Sequence, residues 1–103
     1  MIKLVADKHD ELMGLCARYR VARLDLFGSA AVDKFDPRTS DLDFLVRFES
    51  MPPAQHADCF FGLQADLEGL FGCVIDLVEP SAIRNPYLWQ TIEQERVVLY
   101  AAA

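Results

Sequence analysis

Three aspartates stand where charge is costly. Asp41 and Asp43 open the run "DLDFLVRF", and Asp76 lies alone inside "VIDLV". Along an extended strand alternate side chains share a face, so Asp41 and Asp43 project together, roughly 7 Å apart along the axis. Two carboxylates at that range raise one another's pKa unless a cation sits between them. Magnesium accepts one or two carboxylates plus substrate phosphates and needs no complete protein cage. An aspartate between Ile75 and Leu77 in a buried strand is likewise costly to desolvate unless a cation or hydrogen bonds meet it. A third carboxylate on a neighbouring strand completes a two-metal arrangement with ions about 3.5–4 Å apart. The chemistry expected is therefore metal-assisted work on a polyphosphate.

Alone, Asp-x-Asp is more often a solvated loop edge or a helix cap. The stretch "LFGS" upstream changes its weight. It delivers Gly28 and Ser29 into a turn, where glycine lets the backbone approach a ligand and Ser29 can offer its hydroxyl and N–H to a phosphate at a helix start. An eleven-residue interval then separates Ser29 from Asp41.

The elements that must position these residues follow from periodicity. Residues 7–20 read as a helix, with Leu12, Leu15, Cys16 and Tyr19 on one face. "ARLDLFG" alternates, Leu24 and Leu26 on one side and Asp25 and Phe27 on the other, and reads as a strand ending at Gly28. A short turn or helix starts at Ser29. Residues 33–40 form a loop broken by Pro37. Residues 41–48 are the second strand, with Asp41, Asp43 and Leu45 on one face and Leu42, Phe44 and Val46 on the other. Pro52 and Pro53 open a helix with Phe60, Leu63, Leu67 and Leu70 as its stripe and Gly72 as its stop. Residues 73–79 are a third strand, in which Val74, Asp76 and Val78 share a face. A short helix covers residues 86–95, and "RVVLY" adds a last strand or extends that helix. This order predicts a mixed sheet with helices packed on it, in one domain.

Composition sets the bounds. The 103 residues are 52% hydrophobic, enough for a packed core. A net charge of −6 argues against an extended nucleic-acid surface, though a cation held by carboxylates can still bring in a nucleotide. No apolar run is long enough for a membrane span, and the N-terminus has no secretory pattern, so a cytoplasmic setting is expected. Cys16, Cys59 and Cys73 are odd in number and lack Cys-x-x-Cys spacing, which predicts core or interface thiols rather than disulfides or zinc.

The stretch "LFGSAAVDKFDPRTSDLDFLV" resembles the core of the minimal nucleotidyltransferases, members of the DNA polymerase β-like nucleotidyltransferase superfamily. Their pattern is Gly-Ser, a spacer, Asp-x-Asp and a later strand aspartate, and the resemblance extends through "VIDLVEPSAIRNPYLWQTI". It implies an α+β, polymerase β-like fold over residues 1–103, and magnesium-dependent transfer of a nucleoside monophosphate from a nucleoside triphosphate with release of pyrophosphate. Many members are antitoxins that assemble with a HEPN-domain ribonuclease toxin, and in that family AMP from ATP can be attached to a toxin tyrosine. By position, the resemblance makes Gly28 and Ser29 the triphosphate-binding residues and Asp41, Asp43 and Asp76 the ligands of two Mg²⁺ ions. Asp76 would also help deprotonate or orient the attacking hydroxyl.

One departure bears on this expectation. Family members often carry arginines soon after Gly-Ser, where this chain has Ala30 and Val32. The phosphate clamp is weaker for it, with Lys34 and Arg38 as the remaining loop cations. The complete acid trio favours an enzyme, and the missing arginines favour an inactive antitoxin that acts by complex formation alone. A small-molecule acceptor such as an aminoglycoside is disfavoured, because so short a chain has little room for its own acceptor pocket. Elsewhere, His9 and His56 read as surface residues, Phe60, Phe61, Leu67, Leu70 and Phe71 as core with a fraction left as an exposed apolar patch for a partner, and Tyr87, Leu88 and Trp89 as core or a partner surface. Arg84 and Arg96 could steer a phosphate or a partner, and the final "AAA" reads as a frayed tail.

Overall fold

The expected strand periodicity closes into one four-stranded sheet. The computed structural model describes residues 2–36, 38 and 40–102. Its strands are β1 (Val21–Phe27), β2 (Leu42–Phe48), β3 (Ile75–Val78) and β4 (Val97–Ala101). They lie in the order β3-β2-β1-β4, with β1 antiparallel to both β2 and β4 and β3 parallel to β2. The helices are α1 (Lys3–Ala6), α2 (His9–Arg18), α3 (Pro53–Phe71) and α4 (Pro86–Glu95). This is the mixed sheet with helices that the sequence predicts. Pro37 falls outside the described residues.

Alternation decides which face is buried. Leu24 and Leu26 of β1 and Leu42, Phe44 and Val46 of β2 are fully buried beneath Leu12 and Cys16 of α2 and Leu63, Leu67 and Phe71 of α3. The Phe44 and Phe71 rings stack at 5.9 Å between centroids. Burial pushes the Cys16 thiol up to about 12, and all three cysteines are free. The opposite face carries Arg23, Asp25 and Phe27 beside Asp43, Leu45 and Arg47, with Asp76 and Val78 on β3.

Three expectations change. The helix expected over residues 7–20 is α2, His9–Arg18, and a further turn of helix that was not expected, α1 at Lys3–Ala6, precedes it. His56 is no free surface residue: its Nε2 lies 2.5 Å from Glu79 Oε1, and its ring meets Phe48 edge-on, which ties the start of α3 to the end of β3. The C-terminal alanines are not all frayed. Ala101 pairs with Arg23, and the Ala102 N–H donates to Ala22 O, because the outer edge of β1 offers free backbone groups.

Helix ends obey local rules. Pro53 opens α3, and Gly72 closes it in the left-handed region at φ 65°. Asn85 Oδ1 caps α4, accepting from the N–H of Tyr87 and Leu88. Inside α3, Gly62 admits the Tyr19 ring, whose hydroxyl donates to Asp66. A Cβ at Gly62 would lie 2.6 Å from Tyr19 Cε1, whereas one at Gly69 would meet nothing within 4 Å. Gly69→Ala should therefore stabilise by about 0.5–1 kcal/mol. Gly62→Ala should net a loss of about 1 kcal/mol, since displacing a charge-assisted hydrogen bond outweighs the helix gain. Urea titration of both variants checks the opposite signs.

Candidate active site

Register brings two of the aspartates together. Asp43 is Cα partner to Asp76 across the parallel pair and to Phe27 across the antiparallel one. Asp43 and Asp76 therefore stand side by side on the open face of the sheet. Asp43 is half-buried, and its pKa is raised to about 6: burial contributes most, then the Asp76 charge, the Asp41 charge and a hydrogen bond with Asp76. Asp76 is exposed, contrary to the expectation of a buried strand acid. Its strand is at the sheet edge, and only Ile75 and Leu77 turn inward.

Asp41 stands one residue before β2 and is exposed. It acts on Asp43 through charge. The loop before it is closed on itself, with the Asp36 N–H donating to Ser40 Oγ at 3.1 Å and the Ser40 N–H to Asp36 O at 2.8 Å. Among the described residues no three His, Cys, Asp or Glu side chains form a ready metal cage. The donor set is instead a pair of hard oxygen ligands with a third carboxylate nearby. That suits a divalent cation that takes its remaining ligands from water and phosphate.

The Gly-Ser turn abuts Asp43. Gly28 has φ 72°, and a Cβ built on it would overlap the Asp43 carboxylate and lie 3.1 Å from its carboxyl carbon. Only glycine satisfies both the backbone and the approach. Gly28→Ala should lower any activity of the site at least tenfold while displacing Asp43, and a ¹H–¹⁵N spectrum would locate the shift at residues 28 and 43. The short turn or helix expected from Ser29 is a single 3-10 turn, Gly28–Ala30, so Ser29 gains little from a helix dipole. Ala30 is fully buried and Val32 exposed. Of the two substitute cations, Arg38 is engaged by Asp36 at 3.6 Å. Lys34 is exposed, and its backbone N–H donates to Ser29 O at 2.8 Å, which keeps it beside the turn.

Nothing in the sequence marks Asp25 as special. It is fully buried on the same face, its two oxygens 3.1 and 3.2 Å from Arg23 Nε, with Arg96 3.5 Å away. Of the suggested partner surfaces, Phe61 and Tyr87 are exposed and Trp89 is half-buried, with Arg96 over its ring at 5.7 Å. No helix among the described residues is long and apolar enough to cross a membrane.

Residues 12–99 match the model of the nucleotidyltransferase domain family, the span that holds the Gly-Ser turn and all three aspartates. The chain belongs to that family. Two nucleotidyltransferase relatives come from Methanocaldococcus jannaschii, both named as candidate protein adenylyltransferases. One, MJ0128, is 35% identical over 93% of this chain and 92% of its own length. The other, MJ1379, is 30% identical over the same shares. Among solved structures, a candidate minimal nucleotidyltransferase aligns at TM-score 0.66 and 30% identity, covering 93% of this chain and 95% of that one. The same fold occurs in a Shewanella oneidensis complex of a tri-AMPylated HEPN toxin with its MNT antitoxin. There the TM-score is 0.62 at 16% identity, over 94% of this chain and 72% of that one. As a nucleotidyltransferase with the α+β fold of the minimal members, the chain meets the expectation from its Gly-Ser and Asp-x-Asp pattern.

Proposed function

We propose that this nucleotidyltransferase is an antitoxin that transfers AMP from ATP to a tyrosine of a HEPN-domain toxin in the cytoplasm, neutralising it. The observation that carries the reading is the pairing of Asp76 with Asp43, whose carboxylate lies directly against the Gly28 backbone. Support comes from relatives named as candidate protein adenylyltransferases and from the fold shared with an antitoxin bound to a tri-AMPylated toxin.

In this reading Gly28 and Ser29 bind the triphosphate through backbone N–H and hydroxyl, and Lys34 supplies the nearby positive charge. Asp41, Asp43 and Asp76 hold Mg²⁺, with two ions as the expected number. Magnesium bound there supplies charge neutralisation for the phosphates and for the oxygens that attack and leave. Asp76, exposed at the sheet edge, orients the acceptor hydroxyl and takes up its proton. Gly28 keeps the Asp43 carboxylate pressed to the turn, so that phosphate and carboxylate sites stay in register.

Intact mass of the toxin after incubation with this protein, ATP and magnesium tests the reading, and the expected gain is one or more AMP units. The absence of arginine after Gly28-Ser29, where Ala30 is buried and Val32 points outward, favours the second reading, an antitoxin that binds and transfers nothing. An unchanged toxin mass with a stable complex would decide for it.

A further inference from the structure

A cavity of about 290 Å³ opens on the same sheet face, lined by Arg23, Asp25, Leu45, Arg47, Trp89 and Arg96 among others. Its charge is unusual for a chain of net charge −6. Asp25 is consumed by Arg23 and Arg96, which leaves one positive charge on that trio. Arg47 is exposed, and its side chain makes no hydrogen bond or ion pair among the described residues. Two guanidinium charges therefore remain uncompensated beside an indole wall. Ligand pockets run from about 300 Å³ upward, so this one suits a group of side-chain size rather than a whole nucleotide.

Position narrows the occupant. On β1 the cavity residues Arg23 and Asp25 precede Phe27, whereas the Gly-Ser turn follows it. The Asp43–Asp76 pair thus lies between the turn and the cavity. In a phosphoryl-type displacement the attacking and leaving oxygens are roughly in line. Pyrophosphate departing toward the turn requires the hydroxyl to arrive from the cavity side. Leu45 and Arg47 are two and four residues beyond Asp43, about 7 and 13 Å along the strand.

We propose that this cavity recognises the acceptor: it takes a carboxylate side chain of the modified protein, two to four residues from the acceptor hydroxyl in an extended segment. Arginine is the side chain best matched to a carboxylate, through paired N–H donors. The proposal rests on the transfer reading above for the word acceptor, but its test does not use transfer.

Trp89 is the chain's only tryptophan and lines the cavity, so its fluorescence reports occupancy. The full chain, without nucleotide, is titrated with a blocked peptide holding a central tyrosine and glutamates two positions to either side. A second peptide carries glutamines instead. The glutamate peptide should shift Trp89 emission saturably and bind about tenfold tighter than its glutamine counterpart. Arg47→Ala, which loses no internal partner, should erase that preference with the fold unchanged by circular dichroism. Equal binding of the two peptides overturns the proposal. So does metal-free ATP that produces the same shift and competes with the glutamate peptide, which would make the cavity a nucleotide site. A toxin mass that never changes would sink the transfer reading while leaving this binding result as measured.

Discussion

Asp43→Asn should abolish the proposed nucleotidyl transfer and at the same time stabilise the metal-free protein at neutral pH. Loss of an outer-shell partner of a metal ligand already costs about 10–100-fold, so removing the charge of a proposed ligand should exceed about a hundredfold. The stability gain follows from the raised pKa. Folded Asp43 titrates at about 6 against an ordinary 3.8, so the fold holds this proton more tightly than the unfolded chain does. The resulting stabilisation is complete below about 3.8 and disappears as pH rises through about 6. At pH 7 the wild type therefore carries a carboxylate that burial and Asp76 both oppose, and the asparagine variant does not. Thermal melts in EDTA should show the wild type losing more stability than the variant between pH 4 and pH 7. Magnesium should raise the wild-type melting temperature at pH 7 and raise that of the variant less. Wild-type transfer by the variant, or identical pH profiles, would falsify the assignment of Asp43.

The same residue shows what could be read in advance. Period two in "DLDFLVRF" puts Leu42, Phe44 and Val46 on one face and Asp43 on the other, because a strand has only two faces, and the fold buries the first of them. What it could not supply was the order of strands. Asp76 looked desolvated because Ile75 and Leu77 flank it, yet β3 lies at the sheet edge and leaves Asp76 in solvent. The cost of burial falls instead on Asp43, on the interior strand β2. Pairing with β4 was equally illegible in the terminal alanines, since backbone groups at the β1 edge set it and side chains do not. The break between α1 and α2 has no proline or glycine to announce it. Arg96 was visible as a stray cation, but its partner Asp25 lies at the other end of the chain, and only the fold joins them.

Asp25→Ala should cost more stability than any other single surface-face change on this sheet. The Asp25 side chain is 1% exposed, whereas Arg23 is 33% and Arg96 26% exposed. Removing the carboxylate leaves two guanidinium groups converging on one point, neither able to reach water fully. Breaking a buried pair from one side costs about 3 kcal/mol at the lower end. For a domain of this size that is a fall of roughly 12–24 °C in melting temperature. Arg23→Ala should cost much less, about 1 kcal/mol, because Asp25 keeps Arg96 and Arg23 already reaches solvent. The asymmetry identifies Asp25 as the anchor: through Arg96, at the junction of α4 and β4, it ties those two C-terminal elements to β1. A double-mutant cycle between Asp25 and Arg96, read by urea unfolding, should return a coupling of about 1 kcal/mol or more. A coupling near zero, with Asp25→Ala inside about 0.5 kcal/mol of wild type, would mean that packing of Trp89 and Leu45 holds this face and that the charges are incidental.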